Sequence, residues 1–238
     1  MKKSIVIKKL TIMAAAGLFT AMAATSSAYA YPTDSIAAWD TTGLLGTEKS
    51  VTGSGSEHVS PISLTRGAGL TSSAAANNFG STGWDGMDAG DYFEFGLSVE
   101  SGYQAALNDL WISSRSSSTG PGTIGFYSSL DGYANPFYTV VQNNSAYANS
   151  IIDLSGLGPV NGSFFIRLYE IGNTQADGVG DTAGTGTFRI GDYYDGTEYY
   201  DIVMTGVTTQ ASPVPAPAAV WLLGSGILGL AGLRRNRQ

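Results

Sequence analysis

Cysteine is absent from the 238 residues, which rules out a disulfide framework, a thiolate metal site and a cysteine nucleophile. Histidine occurs once, at His58, and one imidazole without thiolates falls short of the three or four N/S ligands that zinc uses. No Gly-x-Ser-x-Gly elbow accompanies it, so Ser56 and Ser60 beside His58 read as a solvated polar stretch, not as parts of a hydrolase triad. Sequence repeats are lacking, which excludes a propeller, and no central stretch has convincing helical periodicity. Positive charge is scarce in the middle of the chain. From Tyr31 to Gln210 all 19 acids face only Lys49, Arg66, Arg115, Arg167 and Arg189, so that segment carries 5 − 19 = −14 against −7 for the whole chain. Such a segment repels nucleic acid and anionic head groups, and suits an extracytoplasmic module or one that collects cations.

What the segment does have is glycine, small polar residues and aromatics. The chain holds 32 glycines and 13 tyrosines; the first mark turns, and the second argue against disorder. From Tyr92 to Glu100, Phe93, Phe95, Leu97 and Val99 alternate with polar side chains, the period of a strand with one dry face. Similar runs occur at Ile36–Trp39, Val59–Thr65, Leu110–Ser114, Thr123–Ser129, Phe137–Val141, Ser150–Leu154, Phe164–Glu170, Phe188–Ile190 and Asp201–Thr205. Asp131-Gly132, Asn161-Gly162 and Asp195-Gly196 supply tight turns between them. Short strands without crossover helices predict an all-β fold, a single antiparallel β-sandwich of jelly-roll type over residues 31–210.

The two ends read as addresses. Met1 to Ala30 has four lysines, an apolar stretch and Ala28-Tyr29-Ala30, the parts of a secretory signal peptide cut before Tyr31. At the other end, a proline-rich linker at 211–217 precedes residues 218–233, which carry no charge over 16 residues and reach about 24 Å as a helix. This predicts a transmembrane helix, with the basic end at 234–238 (Arg234, Arg235, Arg237) held in the cytoplasm as a membrane stop. Val214-Pro215-Ala216-Pro217 followed by Ala218-Ala219-Val220-Trp221-Leu222-Leu223-Gly224-Ser225-Gly226 resembles the sorting signal of the PEP-CTERM proteins of Gram-negative bacteria, with Ala216 where glutamate is usual. That resemblance implies an exosortase and a signal peptidase as partners, transient anchoring in the inner membrane, and a final place at the cell surface or in an extracellular, exopolysaccharide-rich matrix. Ile36-Ala37-Ala38-Trp39-Asp40, Phe165-Ile166-Arg167-Leu168-Tyr169 and Gly186-Thr187-Phe188-Arg189-Ile190 are also similar to the β-sandwich ectodomains that carry this tail. Those domains usually place Asp-Asn after the penultimate strand, where this chain has Ile190-Gly191-Asp192.

Three kinds of chemistry remain. Asp85, Asp88 and Asp91 stand in a glycine-bearing loop before the best strand and are the candidate calcium ligands, since calcium accepts hard oxygens on a turn. Asp177 and Asp181 form a weaker second set. Trp84, Tyr133, Tyr138, Tyr193, Tyr194, Tyr199 and Tyr200 fall in or near predicted loops and strand ends. Each adjacent tyrosine pair puts one ring on either face of a strand, which permits a sugar-stacking surface. A glycosidase needs two carboxylates about 5 to 10 Å apart. Glu94 and Glu100 lie about 20 Å apart along one strand, and Glu170 and Glu198 meet only if the fold brings them together. The sequence thus favours an exported, non-catalytic structural, adhesive or glycan-binding module, with a secreted carbohydrate-active hydrolase as the alternative.

Overall fold

Alternating apolar and polar side chains become strands over most of the computed structural model, which describes residues 32–84 and 89–212. In chain order the strands are β1 (Ser35–Trp39), β2 (Ser50–Val51), β3 (Ser54–Gly55), β4 (Val59–Arg66), β5 (Thr71–Ser72), β6 (Phe79–Thr82), β7 (Tyr92–Val99) and β8 (Tyr103–Ser116). There follow β9 (Thr123–Ser128), β10 (Pro136–Val141), β11 (Ala148–Asp153), β12 (Ser163–Glu170), β13 (Phe188–Gly191), β14 (Tyr193–Tyr194), β15 (Tyr199–Tyr200) and β16 (Ile202–Gln210). Helical structure among the described residues is confined to two single turns, Ser129–Asp131 and Ser155–Leu157.

The strands form an eight-stranded sheet in the order β3-β1-β16-β8-β13-β6-β5 with β11 added to β8, a six-stranded sheet β10-β9-β12-β7-β4-β2, and the small pair β14-β15. The two large sheets share one core. Phe93 of β7 meets Phe79 of β6 at 5.2 Å and Phe188 of β13 at 5.6 Å between ring centroids, and Trp39 of β1 meets Phe95 of β7 edge-on at 5.1 Å. All five rings are fully buried, and aromatic pairs in such tilted geometry add about 1 kcal/mol each beyond their buried area. Arg66, at the end of β4, crosses to the larger sheet, donating to the carbonyls of Gly46 and Gly80 at 2.7 Å and lying 3.5 Å from the Phe79 ring centroid.

Strand β8 organises the outer face of the larger sheet. Its residues 103–111 pair with β16 and 109–114 with β11, while 113–116 pair with β13. The overlaps place β11 on one side of β8, with β13 and β16 end to end along the other. Between those two the chain leaves the sheet, turns through β14 and β15, and returns. Gly196 has φ +103° at the turn, a backbone that only glycine adopts without strain. The hairpin lies on Trp111, whose ring is 5.3 Å from Tyr193 and 5.5 Å from Tyr200.

These findings correct several expectations. In place of a single jelly-roll sandwich, which uses eight strands in two Greek keys, the described chain forms three sheets, because short edge strands and the tyrosine hairpin add to the two large ones. In place of a transmembrane helix, no helix among the described residues is long and apolar enough to cross a membrane, since their apolar side chains are spent on strand faces. The membrane assignment, with transient inner-membrane anchoring and the exosortase, signal peptidase and inner membrane as partners, therefore has no support in the fold. The residues on which it rested, 218–233 with Val214, Pro215, Ala216, Pro217, Arg234, Arg235 and Arg237, lie outside the described residues, as do Ala28, Ala30 and Tyr31.

Candidate functional site

The register of the larger sheet draws three distant aspartates together. Trp39 pairs with Ile202, so Asp40, just after β1, comes beside Asp201, just before β16. Asp192 follows β13 at the other foot of the hairpin. One oxygen from each of Asp40, Asp192 and Asp201 lies within 4.8 Å of the others. Asp192 and Asp201 are buried and Asp40 is exposed. Asp192 accepts from the Thr41 backbone N–H at 3.2 Å and hydroxyl at 2.9 Å, and from the Thr42 hydroxyl at 3.0 Å. Burial pushes its carboxyl up to about 6, and the nearby Asp201 charge adds to this against the lowering by the threonine donors. The cluster is able to coordinate a divalent cation, for its donors are hard oxygens closely set around one point.

Asp192 also forms part of a cavity of about 320 Å³ on the outer face of β8. Its walls include Asn77 and Asn78 from the β5–β6 connection, Asn149 of β11, and the rings of Tyr147, Tyr194 and Tyr199. The volume is near the lower end for small-ligand sites. Tyr194 and Tyr199 stack on each other, centroids 4.6 Å apart, and Tyr199 is 52% exposed. Asn77 takes a left-handed φ of 57° and accepts from the Gly43 N–H at 2.8 Å. Asn149 accepts from the Ser113 hydroxyl. A Cβ at Gly191 would meet the Asn78 Oδ1 and come within 3.1 Å of the Asn77 carbonyl. The wall is thus a set of carboxamides and a carboxylate facing aromatic rings, a combination suited to hydroxyl groups on a flat, partly apolar ligand.

The candidates read from the sequence have separate outcomes. Asp85 and Asp88 lie outside the described residues. Asp91 is buried, with its Oδ1 packed against Gly69. Asp177 caps its own turn by accepting from the Val179 N–H at 2.8 Å. Trp84 is no exposed platform but core, edge-on to Phe93 and Phe188. Tyr133 covers Arg167, and Tyr193 and Tyr200 turn inward to Trp111, leaving Tyr194 and Tyr199 facing the cavity. Glu94 binds Arg167 and Glu100 binds His58, whose ring stacks on Tyr103 at 3.6 Å. Glu170 is buried at the end of β12, whereas Glu198 sits in the hairpin turn.

Sequence reasoning missed the cluster of Asp40, Asp192 and Asp201. One signal was present, an aspartate at or within two residues of an end of each of three predicted strands, but only the pairing register shows that those ends meet. Asn77, Asn78 and Asn149 gave no signal at all, because carboxamides in turns and near strand ends are ordinary. Comparison with known proteins adds no family: no family model matches the chain, and neither a curated protein nor a solved structure does.

Proposed function

We propose that this chain is an exported cell-surface or matrix protein whose β domain is a non-catalytic glycan-binding module. The observation that carries the reading is the cavity in which Tyr147, Tyr194 and Tyr199 face Asn77, Asn78, Asn149 and Asp192. A sugar ring offers an apolar face to an aromatic ring and a rim of hydroxyls to carboxamides and carboxylates, and this wall supplies both partners. The extracellular setting draws on the PEP-CTERM-like wording of residues 214–226 and on the signal-like N-terminus. The cation proposed for Asp40, Asp192 and Asp201 is calcium. Oxygens on opposite sides of a calcium ion stand about 5 Å apart, twice its usual bond length, which accords with their mutual spacing. Bound there, the ion ties the end of β1 to both feet of the hairpin and so steadies Tyr194 and Tyr199 over the cavity.

The test is a panel of oligosaccharides offered to the full chain with calcium present, read both for binding and for release of reducing ends. Saturable binding without release supports the module. Release of reducing ends makes the protein a hydrolase, with Asp192 and Asp201 as the carboxylates to examine. Failure of every saccharide to bind removes the reading.

A further inference from the structure

On the outer face of the larger sheet, Arg115 of β8 and Arg189 of β13 stand directly opposite each other, and opposed residues have Cβ atoms about 5 Å apart. Like charges so placed destabilise a sheet unless something neutralises them. Carboxylates are plentiful, 19 in the chain, yet among the described residues neither arginine forms an ion pair, while Arg167 does. Arg115 is held by the Asn144 carbonyl, at 3.2 Å from Nε and 2.7 Å from Nη2, and lies 5.7 Å from the Tyr147 ring centroid. Arg189 has one long contact, 3.4 Å to the Thr187 hydroxyl, and its buried Nε has no hydrogen-bond partner.

The pair adjoins the cavity. Ser113, two residues before Arg115 on the same face of β8, lines it, and Asp192, just past Gly191 opposite Ser113, lines it too. Two residues of strand span about 7 Å, roughly the width of one sugar unit. Tyr147 belongs to both, as cavity wall and as the ring over Arg115.

We propose that the saccharide taken by this cavity carries an anionic substituent, a carboxylate or a sulfate ester, bound by Arg115 and Arg189. This rests on the glycan-binding reading and names its ligand class. Guanidinium groups bind such oxyanions through paired, charge-assisted hydrogen bonds, and a neutral sugar would leave the two charges opposed. The acidity of the domain at large selects further. Its repulsion reaches a Debye length of about 8 Å at physiological salt, so a densely charged polymer is held off while a saccharide with a single anion reaches the pair.

Calorimetric titration of the full chain with glucose, glucuronate and glucose 6-sulfate at one ionic strength tests this. At least one anionic sugar should bind about tenfold more tightly than glucose, which corresponds to about 1.4 kcal/mol, and the better of the two identifies the substituent. Arg189→Gln should bring that sugar to the level of glucose, and Arg115→Gln should do the same if its loop keeps its melting behaviour. Equal binding of all three sugars overturns the anionic assignment and leaves the glycan reading standing. A preference that survives both substitutions overturns it as well. No binding of any sugar removes both.

Discussion

The two outer faces of this domain use the same side chains to opposite ends. On the smaller sheet, Arg167 donates to Glu94 at 2.6 Å and to the Tyr169 hydroxyl at 3.2 Å, and lies 4.2 Å from the ring centroids of both Tyr92 and Tyr133. Burial works against its charge, but Glu94 and Tyr169 outweigh this and hold it above the ordinary arginine range. The Arg167 charge is thus paired within the protein. On the larger sheet, arginines meet no carboxylate among the described residues, tyrosines face a cavity, and three carboxylates crowd one another. Aromatic and charged groups that pair with one another stabilise a sheet face; the same kinds of group set around an open cavity are placed to meet a ligand.

The largest expected difference is in stability. Arg167→Ala removes a charge-assisted pair and two ring contacts, and should lower unfolding free energy by about 2 to 3 kcal/mol. Arg189→Ala should cost less than about 0.5 kcal/mol. Chemical denaturation of both variants checks the contrast, and equal losses would erase it.

Calcium should separate the faces next. Saturating calcium at about a hundred times its dissociation constant should stabilise the wild type by about 2.7 kcal/mol, and Asp201→Asn should abolish the gain. Thermal melts with calcium and with chelator provide the measurement, and identical wild-type curves would remove the ion from the account.

In chelator, pH acts through Asp192. Its carboxyl rises to about 6 in the folded chain from an ordinary 3.8, so the folded state holds the proton more tightly. The resulting stabilisation is fully present below 3.8 and is lost as pH rises through about 6. It amounts to roughly 2 kcal/mol, somewhat less than the full conversion because the group keeps some solvent and a coupled neighbour. Denaturation midpoints at pH 4.5 and 7.5 should differ accordingly in the wild type and much less in Asp192→Asn.

A small stability effect is expected at Tyr199, an exposed ring of the cavity wall. Tyr199→Ala should change unfolding free energy by under about 1 kcal/mol yet weaken saccharide affinity about tenfold. A large loss of stability with unchanged affinity would make the tyrosine pair structural, like Tyr92 and Tyr169.

Local pattern in the sequence was enough for most of the longer strands, but it gave no sign of β2, β3, β5 or β6. The alternation at Tyr92 to Glu100 marks β7 to within a residue, since a half-buried strand repeats every two residues. Strand β8 was read as only Leu110 to Ser114, although it runs from Tyr103 to Ser116. Its first half carries Gln104, Asn108 and Asp109 and is kept in the sheet by pairing with β16, a long-range effect. The tyrosine pairs of the hairpin were legible by the same two-residue period, which sends Tyr193 and Tyr200 to Trp111 and their neighbours outward. Trp84 was not, because glycines and acids around it suggested a loop while its ring enters the core. The acid cluster joins residues about 150 positions apart, and no local pattern reports a register.

Tyrosine-resolved NMR of the full chain during titration with glucuronate and glucose is the most direct test. Saturable shifts are expected at Tyr147, Tyr194 and Tyr199, with Tyr92, Tyr133 and Tyr169 unmoved. Saturable shifts at the tyrosines of the smaller sheet, or none at any tyrosine with sugar at about 10 mM, well above a millimolar dissociation constant, would contradict the glycan-binding reading.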